Sequence, residues 1–291
     1  MKKKLPTILL TVALVTGLFL LLYPTVSDWW NRLHQTYAVA GYVEQVADLS
    51  AEENQKLREE AEAYNQRLFQ SGEGVHTLTE EEEKEYNSLL NITEDGIMGY
   101  VDIPKINVQL PIYHGTDEAI LEVAVGHIPG SSLPVGGPNT HTVISGHRGL
   151  PSARLFTDID QLREGDTFTL NVLDETLTYE VDQIRTVLPD ELQDLSIQEG
   201  KDYCTLVTCT PYGVNTHRLL VRGHRIPNAS DDVRIVADAV QVSPLMVAPV
   251  IAAVIVLILM LWLFLGTRSG KHRPKNAPHP IEKKIQEGKD G

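Results

Sequence analysis

The sequence predicts a mainly β protein: a small closed or partly closed β-barrel, preceded by helices and bracketed by two flanking transmembrane helices. Three observations carry this. Short β-type runs broken by Gly, Pro, Asn and Asp crowd residues 96–228. Residues 34–70 repeat apolar positions with a period near 3.6. Two stretches, one near each end, are free of charge and long enough to cross a bilayer as helices.

Taken in order, residues 1–4 hold three lysines and residues 5–26 form the first apolar span. A cleaved signal peptide is the competing reading, with Ala38-Val39-Ala40 as its small-residue cleavage site. That site lies far past the apolar run, and the run exceeds the roughly 7–15 residues of a signal core, so a retained anchor is expected. Residues 244–266 form the second span, apolar on every helical face. The basic segment 267–291 follows it, with Arg268, Lys271, Arg273 and Lys275. Positive charge at both outer flanks puts both termini in the cytoplasm and everything between the spans outside the cell membrane.

Residues 27–95 read as a helical juxtamembrane region. Tyr37, Ala40, Val43 and Val46 mark one apolar stripe, and Leu57, Ala61, Tyr64 and Leu68 a second. Ser50 and Glu53 form a capping-box pattern, so a new helix is expected to begin there. The acidic run from Glu80 to Glu83 can start a further short helix. Gly72, Gly74 and Gly96 flank the 70–95 segment like hinges, which suggests a lid over a cleft; a solvated linker is the plainer reading. Strands are expected at 99–103, 108–113, 140–146, 167–173, 176–187, 203–209 and 218–225, with a linker at 229–243.

The net charge of −14 is spread over a chain with basic ends, so the part between the spans is more acidic still. Such a field opposes binding to nucleic acid and adhesion to anionic lipid. There is no phosphate-binding glycine loop, zinc-type cysteine pair or His-x-x-x-His helix. No cofactor and no metal is expected.

Only Cys204 and Cys209 occur. They share one β-type run, and an odd separation sends them to opposite faces, which argues against a disulfide. A free thiol outside the cell needs a reason, and reactivity as a thiolate is the usual one. Arg218 returns beside Cys209 if the Pro-, Gly- and Asn-containing stretch 210–217 turns between two adjacent strands. There it can lower the thiol pKa and hold an oxyanion. His147 ends an apolar run between glycines and is placed to reach into a cleft. His114, His127, His141, His217 and His224 are taken as surface or turn residues.

Together these residues resemble the sortase family from about residue 96 to 227. Thr205-Leu206-Val207-Thr208-Cys209 is similar to that family's active-site strand, and Arg218 and His147 fall where the family has its arginine and histidine. The run TCTPYGVNTHRLLVRGHR and the second apolar span most resemble class C, pilus-assembling members, although the Asp-Pro-aromatic lid tripeptide of that class does not occur in residues 70–95. The resemblance implies a closed barrel of about eight strands and a cysteine transpeptidase. In that reading Cys209 is nucleophile, His147 proton carrier and Arg218 oxyanion donor, and Ser145 and Thr208 line the cleft. Implied partners are proteins bearing a Leu-Pro-x-Thr-Gly-like (LPxTG) signal, with a pilin lysine as acceptor amine. A cysteine hydrolase using water, a housekeeping-type sortase attaching proteins to cell wall, and a non-catalytic membrane-tethered binding module remain open alternatives.

Overall fold

The computed structural model describes residues 5–72, 74–93 and 95–228. The expected second span at 244–266, the linker at 229–243 and both basic flanks lie outside the described residues.

Eight strands close into one barrel. They are β1 (Ile97–Ile103), β2 (Val108–His114), β3 (Val125–His127), β4 (Thr140–Ser145), β5 (Thr167–Val172), β6 (Glu175–Val187), β7 (Asp202–Thr210) and β8 (His217–Ile226). Their order around the wall is β1-β2-β3-β4-β7-β8-β6-β5. The pairs β2/β3 and β4/β7 are parallel and the rest antiparallel. Seven of the strands coincide with expected runs. The strand without a sequence signal is β3, whose three residues Val-Gly-His are too few to alternate. Interior positions carry Met98, Ile144, Phe156, Phe168, Tyr179 and Leu206, all fully buried in one core.

The N-terminal region is three helices. Helix α1 runs unbroken from Leu5 to Asp48, with Pro24 inside it. The expected division at residue 26 is therefore not a break in the backbone: composition changes there because the surroundings change, while the helix carries on. Among the described residues α1 is the one helix long and apolar enough to cross a membrane. Its far half buries Gln35, Val39, Tyr42 and Val46. Of the expected stripe, Val46 is buried and Val43 contributes in part, but Tyr37 is 68 % exposed. Apolar residues occupy two faces of this helix, and only contact with the barrel selects one. The Tyr42 hydroxyl makes that contact specific, donating to Met98 O at 3.1 Å and accepting from Leu173 N at 2.8 Å.

Helix α2 (Ala51–Ser71) begins at the expected Ser50/Glu53 capping box and buries Ala61, Tyr64 and Leu68. It ends at Gly72, whose φ of +70° is the left-handed cap that glycine adopts without strain. Helix α3 (Glu80–Ser88) opens with a second capping box, Thr79/Glu82, and its four leading glutamates complement the helix N-terminus. A four-residue helix, α4 (Glu118–Leu121), precedes β3.

Three histidines expected at the surface are instead interior. His114, His127 and His141 are all buried, because each ring has hydrogen-bond partners that replace water. His127 Nε2 lies 2.9 Å from Ser132 O and Nδ1 3.0 Å from Tyr86 Oη. His141 Nδ1 lies 3.0 Å from Ser196 O and Nε2 2.7 Å from Thr205 Oγ1. Burial pushes both imidazoles down to about 4. Both are thus neutral in the fold, and the stability they contribute is complete above 6.5, their unfolded value, and is lost as pH falls towards 4. Asp102 and Asp202, raised by desolvation, act in the opposite sense as the carboxyls protonate. The histidine part is isolated by comparison: the urea midpoint of the wild type should fall more steeply between pH 7 and pH 4, the window set by this linkage, than that of His141→Gln. Parallel curves for the two proteins would contradict it.

Candidate active site

Strand β7 places the thiol. Its side chains alternate, so Cys204, Leu206 and Thr208 face the core while Tyr203, Thr205, Val207 and Cys209 face outward. The two cysteines are both free, and the expected opposition of their faces is what the strand displays. Cys204 is fully buried, and its thiol is pushed well above the ordinary value by desolvation and then by Asp202. Cys209 is half-exposed.

The neighbours of β7 supply the other two residues. On one side β8 runs antiparallel with Arg218 directly opposite Cys209, a pairing that sets Cβ atoms about 5 Å apart. On the other side β4 runs parallel, with Ser145 paired to Val207 and Gly146 N donating to Val207 O at 3.0 Å. The pairing of β4 with β7 ends at Ser145 and Val207, so His147 lies two residues past the end of β4, on the chain leaving the strand next to the one that carries Cys209. Arg218, nine positions after Cys209, is its direct partner across the hairpin. Arg218 spends its hydrogen bonds on two carbonyls, Asn215 O at 3.4 Å and His217 O at 3.2 Å, and has no carboxylate partner among the described residues.

Glycine makes the approach to His147 possible. A Cβ on Gly146 would come within 2.7 Å of the Phe156 ring and 2.8 Å of Val125. Gly149 has φ +81°, which lets the chain turn away after Arg148.

Ser145 is half-buried and shares the outward face with Val207, in keeping with a place at the cleft. Thr208 departs from expectation. It faces the core, is 1 % exposed, and its hydroxyl donates to Gly146 O at 2.7 Å. Alternation excludes it from the face that Cys209 occupies, so it ties the His147 strand to the Cys209 strand from behind. Arg148, which carries no sequence signal of its own, adds a second tie. It is ion-paired to Asp160, donates to Thr210 Oγ1 at 3.4 Å and lies 5.8 Å from the centroid of the Tyr212 ring. It thus links the residue after His147 to the segment after Cys209.

The outward face continues from Cys209 as an apolar floor of Val143, Val207 and Leu220, bordered by Val187 and Leu195. Val75 and Ile128 pack on it. No group of three or more His, Cys, Asp or Glu placed to hold a metal ion occurs among the described residues.

The described residues thus form a closed eight-stranded barrel with an outward thiol opposite an arginine on the next strand. The chain belongs to the sortase family: the family model described as a sortase domain matches residues 101–226. Among solved structures it is similar to sortase C1 of Streptococcus agalactiae, at 55 % identity and a TM-score of 0.65, over 66 % of this chain and 100 % of that one. It is also similar to sortase C of Clostridium perfringens with the C-terminal cell wall sorting motif, at 45 % identity and TM-score 0.58, over 66 % of this chain and 99 % of that one. A third is Streptococcus pneumoniae sortase C, at 44 % identity and TM-score 0.60, over 66 % of this chain and 97 % of that one. A curated relative, sortase D of Bacillus subtilis, is 34 % identical over 131 residues, 44 % of this chain and 63 % of that protein. The chain spans less than two thirds of that relative, and 47 % of Streptococcus agalactiae sortase A.

Thr208→Val keeps shape but leaves the Gly146 carbonyl without its buried donor. It should lower stability by about 1–3 kcal/mol, read from urea unfolding; an unchanged midpoint would remove Thr208 from this role.

Proposed function

We propose that the protein is a membrane-anchored, extracytoplasmic cysteine transpeptidase of the class C sortase kind, joining pilin-like proteins. The observation that supports this is the register that sets Arg218 opposite Cys209, with β4, the strand paired to the other side of β7, ending two residues before His147. The Cys209 thiolate attacks the Thr carbonyl carbon of a Leu-Pro-x-Thr-Gly-like signal, and the Arg218 guanidinium stabilises the tetrahedral oxyanion. His147, as imidazolium, gives its proton to the departing Gly amine, leaving a thioester on Cys209. A lysine amine then attacks the thioester; His147 takes the amine proton, and the Cys209 thiolate leaves as the isopeptide bond forms. Ser145 borders the cleft. The Clostridium perfringens relative was solved with a sorting motif, and the Streptococcus pneumoniae relative is described in terms of pilin substrate specificity; both support this choice of substrate.

Cys209→Ala and His147→Ala should abolish acyl-enzyme formation with a sorting-signal peptide. Arg218→Ala should reduce it by orders of magnitude, with about 10²–10³-fold a usual loss for one oxyanion donor. Mass analysis of products with a lysine-bearing pilin-like acceptor should give a covalent adduct faster than hydrolysis. If only the cleaved Thr carboxylate forms at every acceptor concentration, the protein is a hydrolase. If a cell-wall-type amine is used in place of protein lysine, it is a housekeeping-type enzyme.

The same reading makes the segment after α2 a short lid. Tyr86, Leu89 and Leu90 belong to the core, so the proposed lid narrows to residues 74–78, with Val75 packed beside Val207. Val75→Asp should release it, and labelling of Cys209 by a bulky alkylating reagent should accelerate. An unchanged labelling rate would make the stretch a linker.

A further inference from the structure

We propose that the catalytic end of the barrel rests on the bilayer surface, with the β7–β8 loop at the level of the lipid headgroups; this rests on the membrane anchoring proposed above. The apolar run ends at Ser27, and the helix that carries it continues without interruption. The first residues past the run are already bonded to the barrel. Asp28 Oδ1 accepts from Arg154 N at 2.9 Å, Asn31 Nδ2 donates to Ser152 O at 2.9 Å, and Gln35 Nε2 donates to Val123 O at 2.6 Å.

These three bonds set the height of the site. Residues 152 and 154 lie on the loop that leaves His147, and Val123 leads into β3, where Gly126 pairs with Ser145. Extending that antiparallel register puts His147 level with Ala124. The cleft therefore stands beside the α1 turns between Asp28 and Gln35. At 1.5 Å per residue this is no more than about 12 Å beyond Ser27, against a headgroup layer roughly 5–8 Å deep on each side of a bilayer.

Chain direction decides what lies lower still. Because β7 is parallel to β4, it passes Cys209 in the direction that β4 takes towards residues 148–154. Tyr212 follows, its ring within 3.2 Å of where a Gly149 Cβ would be. Tyr212 and Val214 are 61 % and 64 % exposed, and Trp29 and Trp30 on α1 are 41 % and 55 % exposed. Exposed apolar residues scattered singly are ordinary; these four gather at one end, beside a span, as aromatic residues do at headgroup level. Local charge permits the approach despite the acidic chain. Arg32, Arg148 and Arg154 are ion-paired with Asp28, Asp160 and Asp158, which offsets these three carboxylates. The opposite end, where Asp174 and Glu175 pair with Arg58 on α2, has no such apolar group among the described residues. A consequence follows for substrates: the cleft meets only a sorting signal presented close to its own membrane anchor.

The test uses the full chain carrying Cys209→Ala and one reporter cysteine, Val214→Cys or Asp174→Cys, labelled with a nitroxide; Cys204 is buried and does not compete. The protein is reconstituted into vesicles of phosphatidylcholine and phosphatidylglycerol, and collision with a water-soluble nickel chelate is read by electron paramagnetic resonance. The label at 214 should be about fivefold less accessible than that at 174, as for a group within the interface. Tyr212→Cys serves as a second reporter with the same expected protection. Equal accessibility at both ends, in protein that floats with the vesicles, overturns the inference. Protein that does not float overturns the anchor and the inference together. Absence of transpeptidation by the unmodified chain, with the label at 214 still protected, would count against the proposed activity alone.

Discussion

The parallel pairing of β4 with β7 is the constraint on which the rest of the structure depends. A parallel pair needs a long crossover, and here the crossover, residues 146–201, contains β5 and β6. Those strands pair with β1 and β8 and so close the barrel. The segment that carries the chain from β4 to β7 thus also supplies the strands that close the wall. The Thr208 hydroxyl on the Gly146 carbonyl and the Arg148 link to Thr210 hold this seam from behind and from beyond the site. Neither touches the outward face where the thiol stands.

Two arginines near the thiol show how partners decide roles. Arg148 is ion-paired with Asp160 and nearly buried, so its charge is committed. Arg218 meets only backbone carbonyls among the described residues, so its charge is available to a developing anion. Asp158, Asp160 and Asp28 are each paired with an arginine.

The N-terminal helices are part of the domain. Tyr64, Leu68, Tyr86 and Leu90 share one core with Phe168 and Leu206 of the barrel. Tyr42 joins α1 to β1 and to the β5–β6 turn through two buried hydrogen bonds. The apolar first half of α1 and its docked second half are one continuous helix from Leu5 to Asp48.

What the sequence determined by itself was local. Alternation marked seven strands, the Ser50/Glu53 capping box and the acidic run from Glu80 marked helix starts, and the odd spacing of Cys204 and Cys209 separated a buried thiol from a half-exposed one. The nine-residue return from Cys209 to Arg218 was equally legible, because a hairpin is a short-range feature. Tertiary structure alone decided the rest. β3 exists because Ile112 and Ile144 leave an edge on either side for it to fill, with no signal in its own three residues. His114, His127 and His141 are interior because distant carbonyls and hydroxyls replace their water. Tyr37 faces outward, and Val39 and Tyr42 inward, because the barrel wall chose between two apolar faces of α1. Thr208 shares its motif with Cys209 yet serves the core, since strand alternation turns adjacent side chains to opposite faces and only the closed barrel makes one of those faces an interior.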